Sequence, residues 1–263
     1  MGNIQGKSCI QRLFKGGKIM FRKLEFSNVT FQYKNKKILD NFNLTIKRDE
    51  KLAIVGSSGE GKTTLIRLLL RYISPHSGEI FVNKKSINEI EDWYKMIGVL
   101  SQRAHIFNRS IKDNLLVANP NAKEKDMYKA LEMAGLKKFM ETKTLDFVLG
   151  DEGKYISGGE KARIALARLL LRNPEIVILD EPLEGVDKLV EREVVENIKE
   201  FVKDKTLILI SHRFSILSIT DEFAVLENGK IVEKGKYDEH SENSLLKRFF
   251  KAEEELTKKF RKD

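Results

Sequence analysis

One octapeptide organises the rest of this sequence, and it reads Gly56-Ser57-Ser58-Gly59-Glu60-Gly61-Lys62-Thr63. A short apolar run at residues 52–55 precedes it and has the pattern of a strand buried on both faces. Residues 65–70 follow it, and their apolar spacing predicts a largely buried helix. A strand, a glycine-rich loop and a helix in this order are the context in which G-x-x-x-x-G-K-[ST] forms a phosphate-binding loop.

The residue types of this loop suit the recognition of phosphate groups. Glycines let backbone N–H groups turn toward phosphate oxygens, and the following helix adds its partial positive charge. Lys62 is predicted to reach the β- and γ-phosphates, the Thr63 hydroxyl is predicted to ligate Mg²⁺, and Thr64 is assigned to the same binding segment. The sequence therefore predicts a protein that binds a nucleoside triphosphate.

The amino-acid composition is that of a globular protein without a disulfide framework. The chain has 263 residues, of which 41% are hydrophobic and 33% are charged, as in a soluble globular protein. No apolar run approaches the roughly 18 residues that a membrane-spanning helix needs. The single cysteine, Cys9, excludes an intramolecular disulfide framework and a cysteine-based metal site, which suits the cytosol. The net charge of +9 comes from lysines spread along the chain, so a solvated surface is favoured over a clustered nucleic-acid footprint.

Polar or aromatic residues lie at or just after the ends of three further predicted strands. Tyr33 ends the β-prone segment 24–33 and is predicted to lie in a loop, where its ring could stack on a purine. Gln102 follows the strand predicted at residues 97–100, and its amide oxygen could ligate Mg²⁺ or accept a hydrogen bond from an attacking water. His212 follows a buried strand at residues 207–210 and could donate a hydrogen bond to the γ-phosphate.

Two adjacent carboxylates end the buried strand predicted at residues 176–179. Asp180 could hold Mg²⁺ through water beside Thr63. Glu181 could orient and deprotonate the water that attacks the γ-phosphate.

A second glycine pair precedes the helix predicted after residue 160. Ser157 is a natural N-cap, and Gly158 and Gly159, followed by Glu160, leave N–H groups open to an anion. Taken alone, this pattern would favour an ordinary capped helix start over an anion-binding site.

We expect an α/β fold: a P-loop NTPase core with a mixed sheet, an N-terminal antiparallel β subdomain and an inserted α-helical subdomain. We expect a flexible N-terminal arm over residues 1–20 and an ATPase core over residues 21–102 and 171–240. The helical subdomain is expected over residues 103–170, and a charged C-terminal helix over residues 241–263.

These residues together resemble the nucleotide-binding domain of an ABC transporter, over roughly residues 21–240. The signature usually written LSGGQ departs from the family at Ile156 and Glu160, and Leu183 stands where Thr or Ala is commoner, but the Ser-Gly-Gly group is kept. The resemblance implies these roles: Tyr33 for adenine stacking, residues 56–63 for phosphate, Gln102 for the Q-loop, residues 156–160 for the signature, Asp180 for magnesium, Glu181 as base, Asp187 for the D-loop and His212 as switch.

Residues 101–107, 111–115 and 150–153 resemble the exporters of this family. The S-G-G-E signature and residues 181–187 are similar to the thiol-exporting subunits required for cytochrome bd assembly.

The resemblance implies ATP and Mg²⁺ as cofactors and a location at the cytoplasmic face of the cell membrane. It also implies two partners. One is a second ATP-binding domain, in a homo- or heterodimer whose signatures close over each other's ATP; the other is a transmembrane transporter domain.

Two functions from different classes stay open on the sequence. The first is an ATPase that powers export through membrane-spanning helices. The second is a soluble ATPase of the same type that acts on nucleic acid, ribosomes or cofactor assembly. A nucleic-acid partner is not expected, because the sequence has neither a second nucleotide-binding repeat nor a long coiled-coil insertion.

Overall fold

The computed structural model describes residues 14–15, 18–19, 21–211, 213–236 and 246. Its strands are β1 (Phe14–Lys15), β2 (Lys18–Ile19), β3 (Lys23–Tyr33), β4 (Lys36–Lys47), β5 (Lys51–Val55), β6 (Ser77–Val82), β7 (Lys85–Ser86), β8 (Ile97–Leu100), β9 (Ile176–Asp180), β10 (Thr206–Ile210), β11 (Glu222–Glu227) and β12 (Lys230–Lys236). Its α-helices are α1 (Lys62–Leu69), α2 (Trp93–Met96), α3 (Ile111–Leu116), α4 (Glu124–Met133), α5 (Lys137–Thr142), α6 (Gly158–Arg172), α7 (Lys188–Val202) and α8 (Phe214–Leu217), with short 3₁₀ turns at Ile87–Glu89 and Asp151–Gly153.

A six-stranded mixed sheet carries the loops that the sequence singles out. Its order is β12-β11-β5-β10-β9-β8, with β12 antiparallel to β11 and the other neighbours parallel. The parallel strands are short and almost entirely buried, as expected of strands covered on both faces. Because β5, β8, β9 and β10 run in the same direction, the residues that follow them gather at one edge of the sheet.

Two apolar cores cover the two faces of this sheet. Alternate residues point to opposite faces, so Ala53 and Val55 join one core while Leu52 and Ile54 join the other. The first core packs against the helical subdomain and α7, and the second packs against α1 and the antiparallel sheet.

The second sheet has four antiparallel strands in the order β4-β3-β6-β7. Phe26 and Phe42 meet edge to face inside it at a centroid distance of 5.3 Å, and both rings are buried. The predicted fold class, with a mixed core sheet, an antiparallel β subdomain and helices, is confirmed.

One turn ties the two sheets together. The tip of the β11–β12 hairpin, Asn228-Gly229, has positive φ at both residues, as the type I′ turn predicted from the sequence requires. The Gly229 carbonyl accepts the Asp40 N–H at 3.3 Å, and a Cβ on Gly229 would lie 2.4 Å from the Ile38 carbonyl oxygen. The hairpin tip therefore lies directly against β4.

The predicted terminal segments lie largely outside the described residues. Within the 1–20 arm, β1 and β2 pair as an antiparallel ribbon. Within the 241–263 segment, Leu246 is helical and buried in the first core. None of the helices in the described part of the chain has the length and apolar character needed to cross a bilayer.

Candidate functional site

A cavity of about 620 Å³ lies at the carboxyl edge of the parallel strands. It brings together residues that are far apart in the sequence, from the end of β3 to the end of β10. The lining residues are Tyr33, Lys36, Ile38, Gly56, Ser58, Gly59, Gly61, Lys62, Thr63, Thr64, Arg67, Gln102, Asp180, Glu181, Ile210 and Ser211. Eleven of these were predicted from the sequence.

The loop between β5 and α1 forms the floor of this cavity. Gly61 has φ of 111°, a conformation in which a side chain is strained, and α1 begins at the next residue. Gly56 approaches β11 so closely that a Cβ would lie 2.4 Å from the Leu226 carbonyl oxygen. The Lys62 ammonium donates to the carbonyls of Gly56 and Ser57, the latter at 2.8 Å. These contacts keep the lysine against its own loop.

Not every residue of the loop faces the cavity. Ser57 contributes its carbonyl to Lys62, and the Glu60 carboxylate accepts the backbone N–H of Asn228. Neither residue is among those that line the cavity. Glu60 therefore connects the loop to the β11–β12 hairpin tip.

The two carboxylates at the end of β9 have different environments. Asp180 is only 8% exposed, and burial raises its pKa to about 6; the neighbouring Glu181 carboxylate adds to the rise, while the Lys62 ammonium opposes it. Glu181 has φ of 48°, and its backbone N–H donates to the Ile210 carbonyl at 2.9 Å. Its carboxylate accepts the Ser211 hydroxyl at 2.9 Å.

Tyr33 is the last residue of β3 rather than part of a loop, and it stands at the cavity wall. Its ring packs edge to face on Phe31 at a centroid distance of 4.8 Å, and its hydroxyl accepts from the Arg67 guanidinium at 3.0 Å. Strand and helix together therefore hold the ring and leave the residue 39% exposed. Gln102, two residues after β8, also lines the cavity.

Sequence reasoning missed several lining residues. Arg67 is an exposed residue between buried neighbours of α1, so the helical periodicity placed it on the polar face without saying that this face borders the site. Lys36 begins β4, immediately after the turn that follows Tyr33. Ser211 stands between the buried β10 and His212, and only the histidine of that pair was singled out. His212 itself lies outside the described residues.

The Ser157–Glu160 segment does not line the cavity. Ser157 caps α6: its side chain accepts the Glu160 N–H at 3.2 Å, while the Glu160 carboxylate accepts the Ser157 N–H at 2.7 Å. Gly158 has open space where a Cβ would be, whereas a Cβ on Gly159 would lie 2.2 Å from the Gly185 carbonyl oxygen. The structure thus places a capped glycine turn away from the phosphate-type loop of its own chain.

Comparison with known proteins gives a consistent picture. A family model described as "ABC transporter" matches residues 39–184. The chain is 37% identical over 233 residues to a putative export ATP-binding/permease protein of Rickettsia felis, covering 86% of this chain and 40% of that protein. It is 36% identical over 236 residues to the glutathione/L-cysteine transport system ATP-binding/permease protein CydC of Haemophilus influenzae, covering 86% of this chain and 41% of that protein.

A solved structure of a bacterial Atm1-family ABC exporter with ATP bound is also similar, with a TM-score of 0.84 and 28% sequence identity. The match covers 90% of this chain and 43% of the exporter chain. This chain therefore spans about two fifths of the length of the relatives it matches.

Proposed function

The chain belongs to the ABC transporter family, and from this premise we propose that it is the ATP-binding part of an exporter. In this role it hydrolyses Mg-ATP and so drives transport through membrane-spanning helices that are supplied elsewhere. The observation that carries the proposal is the single cavity shared by Tyr33, the Gly56–Thr63 loop, Gln102 and the Asp180–Glu181 pair. The names of the relatives support the exporter assignment, since one describes an export ATP-binding/permease protein and the similar solved structure is that of an ABC exporter.

The cavity suits ATP in size and in chemistry. Its volume of about 620 Å³ lies within the range of small-molecule sites. The exposed ring of Tyr33 offers a stacking surface for adenine at one side. At the floor, the start of α1, the glycines and Lys62 offer N–H groups and positive charge to phosphates.

The oxygen ligands in the cavity also suit Mg²⁺. Asp180, Thr63 and Gln102 all line it, and a carboxylate, a hydroxyl and an amide oxygen are donors that Mg²⁺ accepts. No cluster of three or more His, Cys, Asp or Glu side chains able to hold a metal is found in the part of the chain that the structure describes. This agrees with an ion that takes only a few protein ligands and completes its shell with water and substrate phosphates. When bound, the ion would supply neutralisation of phosphate charge.

Glu181 is the group that we assign as general base. It lies in the cavity and is held by the end of β10 through the Ile210 carbonyl and the Ser211 hydroxyl. A carboxylate fixed in this way can orient a water molecule and accept its proton as the water attacks the γ-phosphate.

The site is proposed to be completed by a second ATP-binding domain. Ser157, Gly158 and Gly159 have the geometry of an anion-binding helix start, with open space at Gly158, yet they lie outside the cavity of their own chain. We assign Ser157–Glu160 to the nucleotide of a partner domain in a head-to-tail pair. Asp187, the N-cap of α7, lies in the adjoining D-loop, where Gly185 contacts Gly159.

We propose a groove of about 230 Å³ as the surface that meets the membrane domain. It runs between the end of β8 and α6, next to Gln102, and its lining includes Val117, His105 and Arg168. Val117 is 54% exposed and presents an apolar side chain in this groove. We propose that the chain docks here beneath a transmembrane domain at the cytoplasmic face of the membrane.

Hydrolysis of Mg-ATP by the purified chain tests the enzymatic part of this proposal. The wild-type chain is expected to release phosphate, and Lys62→Ala is expected to abolish ATP binding or hydrolysis while the circular dichroism spectrum and cooperative unfolding stay unchanged. Loss of folding in the variant would instead make Lys62 structural. Salt-sensitive binding to a generic DNA duplex or to ribosomes, without association with a membrane domain, would contradict the exporter role.

Mixing two inactive variants tests the composite site. Lys62→Ala damages the phosphate loop and leaves the signature intact, whereas Gly158→Asp adds negative charge to the signature at a position with free space for a side chain. In a mixed dimer, one of the two sites combines an intact phosphate loop with an intact signature. Hydrolysis that returns on mixing supports the head-to-tail site. If the mixture of the two variants stays inactive, and coexpression with a partner ATP-binding domain also restores no hydrolysis, the composite site is wrong.

A further inference from the structure

Ser211 connects the end of β10 to the Glu181 carboxylate. It is the first residue after the strand, it is 4% exposed, and it borders the cavity. Its hydroxyl donates to Glu181 Oε2 at 2.9 Å and accepts the Arg213 backbone N–H at 3.1 Å. Because a hydroxyl carries a single proton, the bond received from Arg213 helps to direct that proton toward the carboxylate.

The backbone of Glu181 shows why an anchor matters. Its φ of 48° lies in the left-handed region, which costs a residue with a side chain on the order of 1–3 kcal/mol and persists only where the surroundings enforce it. The N–H of Glu181 is tied to the Ile210 carbonyl, and its side chain is tied to the adjacent Ser211. Two consecutive residues at the end of β10 thus hold both the backbone and the carboxylate of Glu181.

The loop that carries these contacts is itself fixed to α7. The Arg213 guanidinium pairs with the Glu191 carboxylate at 3.1 Å, and the same carboxylate accepts the Ser215 hydroxyl. Glu191 belongs to the first turn of α7, which Asp187 caps. A continuous set of contacts therefore runs from the D-loop end of α7 through Arg213 and Ser211 to Glu181.

We propose that Ser211 is a positioning residue for hydrolysis, whose hydroxyl holds the Glu181 carboxylate in the orientation that accepts a proton from the attacking water. The proposal rests on the assignment of Glu181 as base in the proposed function. In the step concerned, a bond forms from the water oxygen to the γ-phosphorus. The bond from that phosphorus to the β–γ bridging oxygen breaks, its electron pair leaves with ADP, and a water proton moves to Glu181. Ser211 keeps its own proton throughout.

The anchor acts on the rate of the chemical step rather than on nucleotide affinity. The terminal torsion of a glutamate side chain is broad, so an untethered carboxylate spends less time in the reactive orientation. A hydrogen bond to a charged group is worth enough that its loss should lower kcat by about 10- to 100-fold. ATP binding uses other walls of the cavity, so KM should change by less than about threefold.

The experiment compares substitutions that differ in the group offered to Glu181. Ser211→Ala removes the hydroxyl, Ser211→Cys keeps a similar shape but offers only a weak donor, and Ser211→Thr restores a hydroxyl. Ser218→Ala is the matched control, because it removes a hydroxyl that donates to the Ser215 carbonyl at 3.0 Å in the next part of the same segment, and Ser218 does not line the cavity. Steady-state hydrolysis, ATP affinity and thermal unfolding are measured for all variants of the full chain.

The inference predicts a low kcat with near-normal KM for Ser211→Ala and Ser211→Cys, recovery in Ser211→Thr, and a normal rate in Ser218→Ala. If Ser211→Ala fails to fold, Ser211→Cys carries the comparison. An unchanged kcat in a folded variant that lacks the hydroxyl overturns the inference, as does an equal loss in Ser211→Thr or in Ser218→Ala. A wild-type chain that hydrolyses no ATP even when a partner ATP-binding domain is coexpressed, or a Glu181→Gln variant as active as wild type, overturns the proposed function itself.

Discussion

The two carboxylates at the end of β9 illustrate how one backbone position can change the chemistry of a side chain. Asp180 closes a buried strand, whereas Glu181 turns away in a left-handed conformation and is held by β10. Burial and the neighbouring negative charge therefore act on Asp180, and its pKa rises to about 6. The buried Asp180 carboxylate is therefore destabilised in its charged form, and a bound cation would stabilise it.

The stability of the chain without nucleotide and metal should reflect this raised pKa. Between about pH 4 and pH 6 the folded state holds the Asp180 proton more tightly than the unfolded state, so the Asp180 contribution to the free energy of unfolding falls as pH rises. Asp180→Asn removes this titration. The variant should match wild type near pH 4 and exceed it at pH 8 by up to about 3 kcal/mol.

Urea unfolding of both proteins at the two pH values, with a metal chelator present, measures the difference. Comparing the variant with wild type at each pH cancels the other titrating groups. If Asp180→Asn is no more stable than wild type at pH 8, burial does not destabilise the charged aspartate.

Tyr33 allows the ring and the hydroxyl to be tested separately. If the ring stacks on adenine, Tyr33→Ala should weaken ATP binding by about one to two decades. Tyr33→Phe loses only the bond from Arg67 and should bind ATP within about threefold of wild type. Fluorescence or calorimetric titration with ATP gives both values, and unchanged affinity in Tyr33→Ala would remove the stacking role.

At the scale of elements, the β11–β12 hairpin tip does more than reverse the chain. Asn228 donates its N–H to Glu60 of the phosphate loop, and Gly229 packs its backbone on Ile38 and accepts the Asp40 N–H. The tip thereby connects the antiparallel sheet to the Gly56–Thr63 loop. Both Ile38 and the loop that carries Glu60 border that cavity.

Gly229→Ala should therefore destabilise the fold and weaken nucleotide binding together. The residue has φ of 73°, and its added methyl group would meet a backbone carbonyl, so we expect a loss of about 2 kcal/mol or more. Gly59→Ala is the stability control, since Gly59 has φ of 89° but nothing near its Cβ position. Chemical denaturation should show the larger loss for Gly229→Ala; equal losses would mean that the contact with Ile38 carries no cost.

The elements that the sequence predicted best are those in which local pattern and tertiary role coincide. Short apolar runs ending in Asp180, Gln102 or the phosphate loop predicted buried parallel strands, and parallel strands bring their ends to one edge. Arg67 and Lys36 could not be found in this way. Their place in the cavity depends on how the antiparallel sheet packs against α1, which no local pattern encodes.

The signature segment shows the same limit. The S-x-x-E pattern at Ser157 was readable as a helix start, and the structure confirms the cap. Its separation from the cavity depends on the packing of the helical subdomain, which the residues 157–160 do not determine. Whether Glu160 contacts a partner's nucleotide stays a prediction, since its carboxylate bonds to Ser157 within the chain.

At the scale of the whole molecule, the cavity and the Ser157–Glu160 segment are separate features of the chain, and we propose that they are the two halves of a site shared between paired domains. The cavity presents the phosphate loop and Glu181, whereas Gly158 opens elsewhere. In that proposal a complete site forms only when two domains pair, and ATP bound between the two domains would strengthen the pair.

Glu181→Gln should trap that pair. Gln keeps the shape and a hydrogen bond but accepts no proton, so the variant should bind Mg-ATP, lose roughly 10²- to 10⁴-fold in hydrolysis and dimerise when ATP is present. Light scattering or sedimentation with and without ATP measures the association. The double variant with Lys62→Ala is the control and should stay monomeric. Hydrolysis at the wild-type rate would show that Glu181 is not the base.

The contacts of the hairpin tip also limit the positions at which the chain can be opened in a circular permutant. Turns between neighbouring antiparallel strands are common points for circular permutation, because exposed tips tolerate new termini. Opening the chain between residues 228 and 229 would disturb two hydrogen bonds at once: the bond from the Asn228 N–H to Glu60 and the bond from the Asp40 N–H to the Gly229 carbonyl. A permutant opened between residues 120 and 121, both exposed in the helical subdomain, should fold and bind ATP. A permutant opened at the hairpin tip should bind ATP more weakly.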